Sequence, residues 1–173
     1  RVLRTLLSFS SLKRVLNQKG DNKYQEVMAS FFEDVRNCSF CQKNPHYWLQ
    51  YAILKLEQHD FVVAETFFQN AYSFAARRED FDTYQIDNHY ARYLLLNAIE
   101  AVDEPEFMSV FKKAHNILIE PGHQKDTKYY PFKVAKYYLP FYKKYKNRMK
   151  RSDTEYFYNS CRFMLDLISR FVQ

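Results

Sequence analysis

Residues 44–92 read NPHYWLQYAILKLEQHDFVVAETFFQNAYSFAARREDFDTYQIDNHYAR, and the first two of them set how the rest is parsed. Asn44 can accept hydrogen bonds from unpaired backbone amides, and Pro45 suits the first helical position, where its missing N–H costs nothing. A helix is predicted to start there. Trp48, Tyr51, Ala52, Leu54 and Leu56 recur at helical spacing, and the period resumes with Phe61, Ala64, Phe67, Phe68, Ala71, Phe74 and Ala75. Only Glu57, Gln58, His59 and Asp60 lie between the two runs, with Asp60 placed to cap the second. So short a connection predicts an antiparallel hairpin. Small Ala64 and Ala71 beside Phe67, Phe68 and Tyr72 let the helices approach closely while the rings fill the remaining space.

Working towards the N-terminus, CSFCQKN reads as a loop, preceded by a helix from about Asp21 to Asn37 with Tyr24, Val27, Met28, Phe31, Phe32 and Val35 on one side. Residues 1 to about 16 form an amphipathic pattern that Gly20 ends. Towards the C-terminus, Thr83 starts a third long helix, and Asp103-Glu104-Pro105 is a further capped start whose helix Pro121-Gly122 stops. The run from Tyr129 is helical, with Pro140 inside it to kink or split it. Ser152 and Asp153 cap a last helix carrying Tyr156, Phe157, Cys161, Met164, Leu165, Ile168 and Phe171. The helices pair as 45–57 with 61–77, 83–102 with 105–119 and 130–148 with 153–172. Ala52, Ala91 and Ala135 occupy equivalent places at a loose period, so the expected fold is all-α, with hairpins stacked as an α-solenoid. The expected organisation is a single helical-repeat domain over 1–173, with leading helices in 1–43, two central hairpins in 44–119 and a basic terminal hairpin in 129–173.

Composition narrows the function. With only two glycines, Gly20 and Gly122, neither a dinucleotide-binding fingerprint nor a P-loop can be built. No cofactor is expected. Aromatics are 18% of the chain, which suits helices whose facing surfaces need large, partly polar plugs. Three cysteines make no even disulfide framework and fit a reducing, cytoplasmic compartment. No apolar run approaches the roughly 20 residues that span a bilayer, so no membrane is expected. The chain begins at Arg1 already in helical pattern, so a C-terminal fragment of a longer protein is expected.

The tetratricopeptide pattern asks for Trp, a Leu-Gly pair and Tyr on the first helix, then Ala-x3-Phe on the second. Trp48, Tyr51-Ala52 and Ala64-x3-Phe68, with Ala71 one turn on, resemble it. It departs in Tyr for Leu, Ala for Gly, Lys55 for the later Tyr and Ala76 for the closing Pro. More specifically, HYWLQYAI, AETFFQNAYSFA and FDTYQIDNHYARYLLLNA, within residues 44–100, resemble the C-terminal repeat region of bacterial STAND-type ATPase antiphage defence proteins. That resemblance implies effector and ATPase domains in the full-length chain and a protein ligand, such as a phage protein, for the repeats. It makes this chain a sensor, not an enzyme.

The candidate sites follow from polar residues at helical positions. Cys38-Ser39-Phe40-Cys41 has zinc-knuckle spacing with His46 close behind, but a second ligand pair is missing, so two ordinary thiols are the favoured reading and no metal is expected. Asp87 and His89 are two apart on a helix and point away from each other, so they cannot form a catalytic dyad by themselves, and hydrogen bonding to neighbouring helices is the favoured reading. Residues 21–111 carry seven basic and 15 acidic side chains; residues 112–151 carry twelve and two. The basic part interleaves Lys133, Lys136, Lys143, Lys144, Lys146, Arg148, Lys150 and Arg151 with aromatic rings. Such a surface could neutralise phosphates and stack bases, or could be a solvated face or a dock for an acidic protein. Protein recognition points to Tyr47, Gln50, Tyr84, Asn88, Lys133 and Lys136; nucleic-acid binding points to Lys143, Lys144, Lys146 and Arg148. A structural spacer is the remaining alternative.

Overall fold

The computed structural model describes residues 23–120 and 131–171, and among them every regular element is a helix. The all-α expectation holds. The helices are α1 (Lys23–Asp34), α2 (Ser39–Gln42), α3 (Pro45–Glu57), α4 (Phe61–Ala75), α5 (Tyr84–Glu100), α6 (Phe107–Ile119), α7 (Pro131–Ala135), α8 (Tyr138–Tyr145) and α9 (Arg151–Phe171), with a 3-10 turn at Lys146–Arg148. The expected segment 1–16, its Gly20 stop, the Asp21 cap and the Pro121-Gly122 stop lie outside the described residues. The chain forms two compact units, residues 1–86 and 87–173.

In the first unit the Asn44 side chain accepts from the His46 amide at 3.0 Å, and Pro45 is the first residue of α3. The α3–α4 hairpin forms as expected. Its turn uses a geometry the sequence does not advertise: the His59 amide donates to Leu56 O at 3.2 Å and the Asp60 amide to Lys55 O at 2.9 Å, with His59 at φ 60°. This is a Schellman closure with a histidine where glycine is usual. Asp60 then turns to cap α4, accepting from the Val63 amide at 3.3 Å. Ala52, Ala64 and Ala71 are fully buried at the close approach, and Trp48 and Tyr51 lie 5.3 and 4.3 Å from the Phe67 ring. Phe32 from α1 stacks on Tyr51 at 4.6 Å to complete the cluster.

Three boundaries differ from expectation. The CSFCQKN segment is not all loop, because Ser39–Gln42 forms one helical turn. The α7–α8 break falls at Lys136–Tyr137 and not at Pro140. Pro140 has no N–H to give the carbonyl four residues back, so the helix stops upstream and restarts with Pro140 inside the first turn of α8, where no donor is needed. At the head of α9, Asp153 accepts from the Lys150 amide at 3.2 Å, the reach-back half of a capping box, so the cap is Lys150, two residues earlier than Ser152 suggests.

The second unit is built on Phe111 of α6. It is fully buried, 4.9 Å from the Tyr138 ring, 5.1 Å from Phe141 and 5.0 Å from Phe157, so one side chain joins α6, α8 and α9. His115, one turn on, is also buried, with Nδ1 2.7 Å from the Tyr138 hydroxyl. Desolvation lowers the His115 pKa to about 4 and pushes the Tyr138 hydroxyl well up, so both are neutral at pH 7.

Candidate functional site

α8 turns Tyr138, Phe141 and Tyr145 into the core at spacings of three and four, which leaves Leu139 and Tyr142 on an adjoining face. α9 does the same: Phe157, Ser160, Met164 and Leu167 face inward, and Tyr158, Cys161 and Leu165 lie beside them. The apolar stripe of α9 is thus wider than the core needs. Where the two surplus faces meet, with Lys136 at the rim, they form a groove of about 560 Å³. Its floor includes Phe157 and Met164, while Leu139, Tyr158 and Leu165 are 58%, 55% and 65% exposed. Large apolar side chains gathered at that exposure mark a surface suited to a partner.

The groove has structure of its own. Tyr142 stacks on Phe157 at 5.0 Å, and its hydroxyl lies 3.2 Å from that of Tyr158, so rings from both helices hold its shape. The wall from α7 and α8 is basic: residues 131–152 contain no Asp or Glu and eight Lys or Arg. Lys133, Lys136, Lys143 and Lys146 are exposed. The Lys136 ammonium sits 5.0 Å from the Tyr137 ring.

Two of the basic residues expected to bind nucleic acid have internal duties. The Lys144 ammonium donates to Ala98 O at 3.0 Å, to Ile99 O at 2.9 Å and to Ala101 O, closing the C-terminal end of α5. The carbonyls left open at a helix C-terminus attract a cation. Arg148 pairs with Asp103 at 2.5 Å and lies 5.0 Å over the Phe107 ring. Asp103 is therefore engaged by Arg148, while the start of α6 uses Glu104, which accepts from the Glu106 amide at 3.0 Å. Lys143, Lys146 and Arg148 are exposed, and of these three Arg148 is held by Asp103.

The residues expected to bind a protein are distributed across both units. Tyr47 is a correction: it is 0% exposed, donates its hydroxyl to Phe32 O at 3.0 Å, and burial pushes its pKa up to about 12, so it is core. Gln50 and Tyr84 are half-buried in the first unit, and the Tyr84 amide donates to Asp82 at 3.1 Å to start α5. Asn88 is half-buried, with Oδ1 enclosed and accepting no hydrogen bond; one turn on, Nε and Nη2 of Arg92 are likewise enclosed without an acceptor. Of the six, Lys136 lines the groove. The exposed Leu139, Tyr158 and Leu165 are not among the expected site residues; the extra width of the apolar stripe on the last helix is the signal that points to Tyr158 and Leu165, and Leu139 lies on α8.

Among the described residues no group of three or more His, Cys, Asp or Glu is arranged to hold a metal ion. None of their helices is long and apolar enough to cross a membrane. Compared with known proteins, the chain matches no family model, no curated protein and no solved structure.

Proposed function

We propose that the chain is a non-catalytic protein-recognition module of tetratricopeptide-like helical hairpins, whose ligand is an amphipathic helix with an acidic polar face. The observation that carries this reading is the apolar groove, with Leu139, Tyr158 and Leu165 exposed, beside a segment, residues 131–152, whose only charged side chains are basic. An apolar stripe at i, i+3, i+4 and i+7 on the ligand would cover Leu139, Tyr158 and Leu165, and its carboxylates would meet Lys136 and Lys143. The tetratricopeptide reading is supported by the α3–α4 hairpin, in which Trp48 and Phe67 pack while Ala52 and Ala64 set the spacing. The resemblance of residues 44–100 extends the proposal: the module is the sensor end of a larger bacterial antiphage defence ATPase.

The test is a fluorescence-anisotropy titration with two designed amphipathic peptides that share one apolar stripe, one acidic and one basic on the polar face. The acidic peptide is expected to bind with Kd on the order of micromolar, and the basic one at least about tenfold more weakly. Leu165→Asp and Leu139→Asp, both on exposed positions, should each weaken binding at least about tenfold with unchanged circular dichroism. Equal affinity for both peptides, or no response to the substitutions, would overturn the proposal. So would tight, steeply salt-dependent retardation of oligonucleotides with no peptide binding, which would favour the nucleic-acid reading.

A further inference from the structure

In the first unit, the corner between α1 and α3 holds two thiols in unlike settings. Cys38 precedes α2 in extended backbone at φ −74° and ψ 111°, and Cys41 is the third helical residue. The Gln42 amide donates to Cys38 O at 3.0 Å, so a helical turn closes between the two cysteines. The two cysteines take the cap and third helical positions of that turn, whose side chains lie on one side of it. Cys38 is exposed; Cys41 is buried in the cluster with Phe32 and Tyr47. The Cys41 amide and then its thiol, lying beside Cys38, hold the Cys38 thiol below its ordinary range. Burial, with Cys38 next to it, pushes the Cys41 thiol up to about 11. An accessible thiol held below its ordinary range, one turn from a sheltered one, is the arrangement of an attacking and a resolving cysteine.

We propose that Cys38 and Cys41 form a reversible dithiol–disulfide couple that exchanges with low-molecular-weight disulfides. The Cys38 thiolate attacks one sulfur of the disulfide, forming a mixed disulfide and expelling one thiolate. Cys41 gives its proton to that departing thiolate and attacks the Cys38 sulfur, expelling the second thiolate, which takes a proton from water. Two protein thiols are oxidised to one Cys38–Cys41 bond, and one small disulfide is reduced to two thiols. The chain carries its own reporter: Trp48, its single tryptophan, donates from Nε1 to Gln42 O at 2.6 Å, at the end of the turn that the bond would tighten.

The test incubates reduced protein, in a Cys161→Ser background, with oxidised glutathione at neutral pH, followed by acid quench, intact mass and Trp48 fluorescence. The expected product has lost two hydrogen atoms, keeps no glutathione, shows changed Trp48 emission and is restored by dithiothreitol. Cys41→Ser should instead hold one glutathione on Cys38, and Cys38→Ser should react at least about tenfold more slowly than the parent. Cys41→Ala serves if the serine variant loses its helical circular dichroism. A parent that keeps both thiols, or that ends as a stable glutathione adduct on Cys38, would overturn the proposal.

Discussion

Lys143 and Lys144 are neighbours of the same type, yet they do different work. Lys144 closes three carbonyls at the end of α5, while Lys143 is exposed. Hydrogen bonds from a charged donor are worth about 1.5–3 kcal/mol, so Lys144→Met should lower unfolding free energy by about that much in urea denaturation. Lys143→Ala should stay within about 0.5 kcal/mol of the parent. Equal effects of the two substitutions would remove the cap. His115 sets the acid limb of stability. Its environment is Phe111, Tyr138, Tyr156 and Phe163, with no acidic side chain among these rings to hold a proton on it. Its folded pKa of about 4 lies below the ordinary 6.5, so between those values the unfolded chain binds a proton that the folded chain does not. Stability therefore rises with pH through that window and falls on acidification, by up to about 3 kcal/mol. The carboxyls of Glu33 and Asp80, both held below their usual range by hydrogen bonds to Tyr51 and Arg78, act lower down, below about 4.5. His115→Gln keeps a hydrogen-bonding side chain without the titration and should flatten the curve between pH 4 and 6.5. A slope unchanged in that variant would assign the effect elsewhere.

Among the elements, what the sequence declared best was local. Asn44-Pro45 and the matched apolar runs on either side of Gln58-His59-Asp60 specify the α3–α4 hairpin within one short stretch, where cap, period and loop length agree, although the left-handed His59 is not declared. Where a helix breaks around a proline was harder to read, because the missing donor of Pro140 acts on a carbonyl one turn upstream. Periodicity also reports which residues are apolar and not whether anything covers them. Tyr47 and Leu165 both lie at helical positions, yet one is core and the other is surface; the difference is set by the helices that pack nearby. Phe111 illustrates what such packing is worth. It touches rings on both α8 and α9, so Phe111→Ala should cost about 3–5 kcal/mol, more than any cap substitution. A loss below about 1.5 kcal/mol would mean that the second unit is not organised on that ring.

Over the whole molecule, charge is laid out by segment and not evenly. The stretch that walls the groove is basic throughout, while most acidic residues lie between 21 and 111. The totals therefore pointed to the basic segment, and the structure divides it into cations that hold the fold, Lys144 and Arg148, and cations that face solvent, such as Lys136 and Lys143. That division could not be read from composition, since each capped carbonyl lies more than 40 residues from its lysine in the chain. Arg148 belongs with Asp103 for the same reason.

The central claim, that an amphipathic helix lies between α8 and α9, can be put to one measurement. Cys161 lines the groove, half-buried, and burial raises its pKa, whereas Cys38 is exposed on the first unit. Alkylation rates of both thiols, followed by mass at mildly alkaline pH while the acidic amphipathic peptide is added, report occupancy of the groove with an internal control. Cys161 should slow at least about tenfold as peptide saturates, with Cys38 unchanged. A Cys161 rate that stays constant over the whole titration would contradict the account.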